Sequence, residues 1–239
     1  MIDAMCHLEL FGAPAAAARA LEAAASRGVT DVVSAGTDPL LPEVVPPAAL
    51  VRIHRAFGIH PELVRRLGEQ VHALEHKLDG PAVVAVGECG LDARDGTPPM
   101  ELQQQAFAAQ IAIARRRGLP VIVHGVRCPA LVLAAMKDAG VPWVWHAFAE
   151  SLETAKHAKA LGAVISVGAL VLNPRARKVR ESIAGLGDDV LLETDAPDVD
   201  LTALADVALA VAEVKKTTGR AVAEASAALA RKVFGIAAR

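Results

Sequence analysis

The chain has 239 residues, enough for one complete (β/α)8 barrel, and at 53% hydrophobic it can bury a large core without disulfides. No apolar run approaches the ~20 residues of a membrane-spanning helix, so no membrane partner is expected. A formal net charge of −2 and a pI near 6.4 exclude a global positive field, and an aromatic content of 3% without tyrosine shows no stacking platform for single strands, which weakens a nuclease reading without excluding it.

The opening MIDAMCHLEL carries acids and a histidine where a secretory leader has a basic and then an apolar stretch, so a cytoplasmic protein is expected. From there a short Val/Ile-rich run followed by a longer helical pattern repeats to the end. Strands are predicted at Met1–Cys6, Asp31–Gly36, Arg52–Gly58 and Ala82–Glu88, then at Pro120–His124, Trp143–His146, Ala163–Gly168 and Val190–Thr194. Helical spacing covers Ala15–Arg27, Pro99–Arg117, Cys128–Ala139 and Ser151–Leu161. It resumes over Thr202–Phe234 with a break at Thr218-Gly219, giving an eighth barrel helix and one extra C-terminal helix. The stretch Pro39–Pro47 reads as an irregular connection with at most a short helix.

Gly28, Gly118, Gly140 and Gly162 stand where helices should stop. Near-continuous apolar strands suit a parallel sheet covered on both faces. No G-x-G-x-x-G follows the first strand, which favours a closed α/β barrel over a dinucleotide-binding sheet. One domain spanning 1–239 is expected. Cys6, Cys89 and Cys128 have neither zinc nor redox spacing and read as buried thiols.

Five residues of metal-binding type fall at strand ends: His7, Glu88, His124, His146 and Asp195. Each alone is an ordinary hydrogen-bonding group, but a closed barrel brings all five to one mouth. Imidazoles and carboxylates suit Zn or Mn, and carboxylates also admit Mg. Three histidines and two acids exceed the needs of one tetrahedral ion, so one or two divalent ions fit the set.

The motifs D-A-M-C-H-L (Asp3–Leu8), G-I-H-P (Gly58–Pro61), G-E-C-G-L-D (Gly87–Asp92) and Gln103-Gln104-Gln105 follow one another along the chain. After them come P-V-I-V-H (Pro120–His124), W-H-A-F (Trp145–Phe148) and L-E-T-D-A-P (Leu192–Pro197). The ordered set resembles the TatD family of metal-dependent deoxyribonucleases, within the metallo-dependent hydrolase superfamily. The resemblance implies that Glu88 bridges two ions, with His7 and Asp195 on one and His124 and His146 on the other. It implies that Asp195 also orients or deprotonates the attacking water, and that His60 contacts substrate from the mouth. A bland alternative for His60 is a cap on the helix starting at Pro61. Asp3 reads as a structural hydrogen-bonder at the barrel floor. Arg127 is displaced by one residue from the family's arginine, with Val126 in its place, and takes no substrate role.

The family's opening H-x-H has Met5 in place of its first histidine, and a thioether does not replace imidazole on Mg, Mn or Zn. Cys6 should point to the other side of the strand. The ion held by His7, Glu88 and Asp195 is therefore expected to be weak or absent. After Pro197, Asp198-Val199-Asp200 runs almost directly into a helix, trimming a loop that is longer in the family, and Ala227-Ala228 stands where an asparagine is common.

The function expected from this resemblance is a divalent-metal-dependent phosphodiesterase acting on DNA ends or a small phosphodiester, with no obligatory protein partner. The alternatives are hydrolysis of an amide, ester or lactone, and a metal-poor relative with a binding role. The clusters Arg115-Arg116-Arg117 and Arg175 to Arg180 read as solvated helix faces.

Overall fold

In the computed structural model, which describes residues 1–44, 46 and 50–238, every short apolar run of the sequence is a strand. These are β1 (Ile2–Cys6), β2 (Asp31–Ala35), β3 (Arg52–Phe57), β4 (Val83–Asp92), β5 (Val121–Val126), β6 (Trp143–Trp145), β7 (Ala163–Val167) and β8 (Val190–Leu192). All eight lie in one parallel sheet in sequence order. The helices are α1 (Pro14–Ser26), α2 (Leu67–Lys77), α3 (Met100–Arg117), α4 (Pro129–Met136) and α5 (Leu152–Ala160), then α6 (Arg177–Gly185), α7 (Leu204–Lys215) and α8 (Gly219–Phe234). The break foreseen at Thr218-Gly219 is real, and Thr218 caps α8 by accepting from the Ala221 N–H. Within Pro39–Pro47, Val45 and Pro47 fall outside the described residues; the remainder is a turn without a helix. No helix among the described residues is long and apolar enough to cross a membrane.

Alternation along the strands sorts side chains into two sets. Small and branched residues fill the barrel interior, among them Ala4, Met5, Ala35, Ala56, Ala85 and Ile122. Larger ones, including Phe57, Val86, Trp143, Trp145 and Ile165, pack outward against the helices. Each such fully buried side chain contributes on the order of 2–3 kcal/mol of transfer free energy. Met5 and Cys6 fall in different sets, as strand alternation requires.

The seam between β1 and β8 is stitched outside the regular ladder. The Asp195 N–H donates to Met5 O at 3.1 Å, and the His7 N–H to Ala196 O at 2.7 Å. Asp3 accepts from the Thr194 N–H at 3.0 Å and its hydroxyl at 2.6 Å. Asp3 is thus a structural hydrogen-bonder, but its place is this seam, against Thr194. Helix α8 lies against both strands, with Ser226 Oγ accepting from the Leu192 N–H at 3.0 Å.

The glycines of two motifs have a steric reason. A Cβ on Gly90, whose φ is +147°, would sit 2.0 Å from His124 O; one on Gly58 would sit 2.4 Å from Glu88 O. Neither side chain fits, so only glycine lets β3, β4 and β5 crowd together where Glu88 and His124 emerge.

Candidate metal centre

All five strand-end residues converge, and Glu88 is the hub. It leaves β4 into the mouth with 2% of its surface exposed. Its Oε2 lies 3.2 Å from His7 Nε2, which is also 3.3 Å from Asp195 Oδ1. Its Oε1 lies 2.7 Å from His124 Nδ1 and 3.0 Å from His146 Nε2. The two oxygens of one carboxylate therefore face two separate groups of ligand-type side chains. His60 adds a fourth imidazole, its Nε2 3.6 Å from Glu88 Oε1. Donor atoms of His60, Glu88 and His124 lie within 4.8 Å of one another. His60 also accepts from the Glu62 N–H through Nδ1 at 3.3 Å, so it caps the turn at Pro61 while lining the mouth.

Each of the three strand-end imidazoles is held by the nitrogen that does not face Glu88. His7 Nδ1 donates to Ala35 O at 2.7 Å. His124 Nε2 lies 2.9 Å from Asp92 Oδ2. His146 Nδ1 lies 3.1 Å from Glu193 Oε1. Such outer partners fix the ring orientation and tautomer of metal-binding histidines. Asp92 and Glu193 are fixed in turn. Asp92 accepts a fork from Arg94, with Nε at 2.9 Å and Nη2 at 2.6 Å from Oδ2, and Glu193 accepts from the Ala147 N–H and the Ser166 hydroxyl, both at 2.5 Å. Gln103 holds the backbone of Asp92 through its side-chain amide, accepting from the Asp92 N–H at 2.7 Å and donating to Asp92 O at 2.9 Å. That is the role of the first glutamine in the Gln-rich helix.

Asp92 and Glu193 lie inside motifs that the sequence singles out, but their part in the site emerges only from the structure. The available signal was a carboxylate four residues after Glu88 and another two before Asp195.

The electrostatics are those of a pocket deficient in positive charge. Burial opposes a charge on His7, but hydrogen bonds to Asp195 and Glu88 outweigh it and raise the imidazole to about 10. Burial likewise opposes protonation of His146, yet Glu88 and Glu193 hold it well above its ordinary value. His124 is raised against burial by Asp92 and Glu88. Glu88 itself would be pushed up by burial, but the neighbouring imidazoles, His146 foremost, hold it well below the usual carboxylate range. Carboxylates around His7, His124 and His146 thus draw protons onto these three imidazoles, and a divalent cation would satisfy the same demand. The donor set fits such an ion in ligand type, burial and ring orientation.

The mouth is a cavity of about 420 Å³ at the C-terminal ends of the strands, within the range of small-ligand sites. Val126 lines it and Arg127 does not. In the basic run, exposed Lys178 pairs with Glu150, whereas Arg180 is largely covered, pairing with Glu213 and donating to Val171 O at 2.9 Å.

If Asp92 orients His124, then Asp92→Asn should weaken binding of Mn or Zn by about 10–100-fold while leaving the fold intact. Competition against a chelating fluorophore measures this. An unchanged affinity would reduce Asp92 to an ordinary strand-end acid.

An eight-stranded parallel barrel with a buried carboxylate among oriented imidazoles at its C-terminal mouth defines a metal-dependent hydrolase. The sequence matches the family model described as TatD related DNase over residues 2–235, and the chain belongs to that family. It is 35% identical over 216 residues to the uncharacterized metal-dependent hydrolase YjjV of Escherichia coli, covering 84% of this chain and 80% of that protein. The crystal structure of YjjV superposes with a TM-score of 0.87 at 29% identity, covering 99% of this chain and 98% of that one. A protein of Edwardsiella piscicida named 3'-5' ssDNA/RNA exonuclease TatD is 36% identical over 151 residues, covering 59% of this chain and 56% of the relative.

Proposed function

We propose that this chain hydrolyses phosphodiester bonds, at DNA ends or in small diesters, using one or two divalent ions (Zn, Mn or Mg). The observation that carries the reading is the division of labour at Glu88. One oxygen faces His7 and Asp195, and the other faces His124 and His146. A bridging carboxylate would present itself in this way. A bound ion supplies Lewis acidity toward a phosphoryl oxygen and acidifies a nearby water.

The chain's own groups do the rest. Asp195 is the most exposed of the ligand-type acids, with 33% of its side chain accessible, so a water in the mouth can reach it. It orients that water and accepts its proton at a carboxylate oxygen. His60 contacts the substrate from the mouth through Nε2, its Nδ1 being engaged with the Glu62 N–H. The name of the Edwardsiella relative supports a nucleic-acid substrate. The net charge of −2 favours an end or a short diester over long duplex tracking.

Met5 bears on ion number. Its side chain is fully buried in the interior set, where a histidine from the family's opening motif would point toward His7 and Glu88. We therefore place the stronger ion with His124 and His146, and the weaker one with His7 and Asp195.

The test compares bis(p-nitrophenyl) phosphate with amide and lactone panels under Mn, Mg and Zn. Diester turnover that a chelator abolishes is the expected result. Turnover confined to amides or lactones would move the chain to another hydrolase class. No turnover with less than about one tightly held ion per chain would favour a binding role. Met5→His should raise both metal content and rate.

A further inference from the structure

The wall of the mouth is acidic, with Glu62, Glu88, Asp195 and Asp198 all lining it. Among the described residues that line it, Arg94 is the single lysine or arginine. An anionic ligand therefore meets one permanent cation.

That cation is already engaged on two sides. Its Nε and Nη2 grip buried Asp92, and Nη2 also donates to Glu62 Oε1 at 2.5 Å. The two anchors differ in kind. The Asp92 carboxylate is wholly buried and itself holds His124. The Glu62 carboxylate is 42% exposed and belongs to the turn after His60, so its pairing with Arg94 lies at the rim. Exposed ion pairs are weak and exchange readily, whereas a guanidinium fork on a buried carboxylate persists. The two N–H groups of Nη1 have no protein acceptor among the described residues.

We propose that Arg94 is an anion subsite for a phosphate or phosphodiester group, and that Glu62 is its resident surrogate, displaced when the anion arrives. Asp92 keeps the guanidinium in place during the exchange. Nη1 together with the vacated side of Nη2 offers the paired donors that suit a phosphate. Glu62 thereby acts as a selectivity filter. A neutral ligand cannot recover the lost Arg94–Glu62 pair, whereas an anion replaces it. This deepens the phosphodiesterase reading, but the binding claim can be tested apart from turnover.

The probe is inorganic phosphate, titrated calorimetrically into chelator-stripped protein so that ion-bound phosphate does not contribute. Glu62→Gln should tighten the dissociation constant threefold to tenfold, and Arg94→Gln should weaken it at least tenfold. A general charge effect at the mouth would improve phosphate binding equally in Asp198→Asn, so that variant should gain less than twofold. In the double variant E62Q/R94Q the gain from Glu62→Gln should vanish, since the two residues act on one site.

With turnover, Glu62→Gln should lower KM for bis(p-nitrophenyl) phosphate but not for uncharged p-nitrophenyl acetate. Equal gains from Glu62→Gln and Asp198→Asn, or a gain that survives in the double variant, would overturn the proposal. If Arg94→Gln fails to fold, Glu62→Gln against Asp198→Asn still decides. The expected phosphate pattern without any diester turnover would keep the subsite and discard the phosphodiesterase reading.

Discussion

Glu88→Gln is expected to lower the affinity for Mn or Zn by more than about 100-fold and hydrolytic turnover by about 1000-fold or more, about 4 kcal/mol of transition-state stabilisation. The reason is geometric as well as electrostatic. Both oxygens of Glu88 are committed, one to His7 and the other to His124 and His146. An amide of the same shape offers one weaker acceptor and one donor that faces imidazole nitrogens. The buried charge that draws these rings together is then lost, and removing one member of a buried ion pair typically costs about 3–5 kcal/mol. Metal competition and bis(p-nitrophenyl) phosphate turnover read the two effects separately. A variant that retains parental metal affinity would show that Glu88 is not the shared ligand.

The second large effect concerns stability against pH. Burial pushes the Asp3 carboxyl up to about 7, against the lowering influence of the Thr194 hydroxyl and the backbone N–H groups of Thr194 and Met5. In an unfolded chain the same group ionises near pH 4. Between these values the folded protein binds the extra proton. Its contribution to stability is therefore fully present below about pH 4 and is lost as pH rises through about 7.

Asp3→Asn cannot titrate, and its amide suits the site. Oδ1 keeps the two backbone donors and Nδ2 can donate to Thr194 Oγ1. The unfolding free energy of the variant minus that of the parent should therefore increase between pH 4 and 8. About three pH units at 1.36 kcal/mol each set an upper bound of about 4 kcal/mol. Urea unfolding at several pH values measures it. A difference that stays constant across that range would mean that Asp3 is ionised throughout.

The parts of this molecule that were legible in sequence share a physical cause. Strands flanked by helices on one face and a packed interior on the other must be apolar along their length, so Val121–Val126 or Ala163–Val167 stand out at once. The polar residues that end such runs are conspicuous, which is why His7, His124 and His146 could be picked out and why they meet. Parity along β1 puts Met5 and Cys6 on opposite sides of the strand without coordinates, and the two core sets agree.

The orienting carboxylates were harder to read. In Glu193-Thr194-Asp195 both acids follow β8, and spacing alone does not say which one faces the histidines and which one holds a ring from behind. The left-handed backbone of Asp195, with φ +60°, redirects the chain there, and no periodicity reports a dihedral angle. Arg94 was invisible for a similar reason. Its partners Asp92 and Glu62 are brought together by a loop after β4 meeting a turn after β3, a contact between segments 32 residues apart.

The central requirement of the site is a divalent ion shared by Glu88 and the surrounding imidazoles. Anomalous diffraction from Mn-soaked crystals tests this directly. The predicted result is a strong peak about 2.0–2.4 Å from Glu88 Oε1, His124 Nδ1 and His146 Nε2, with a weaker one between His7 and Asp195. A map with no peak within ligand distance of Glu88, the histidines still resting on its carboxylate, would contradict it.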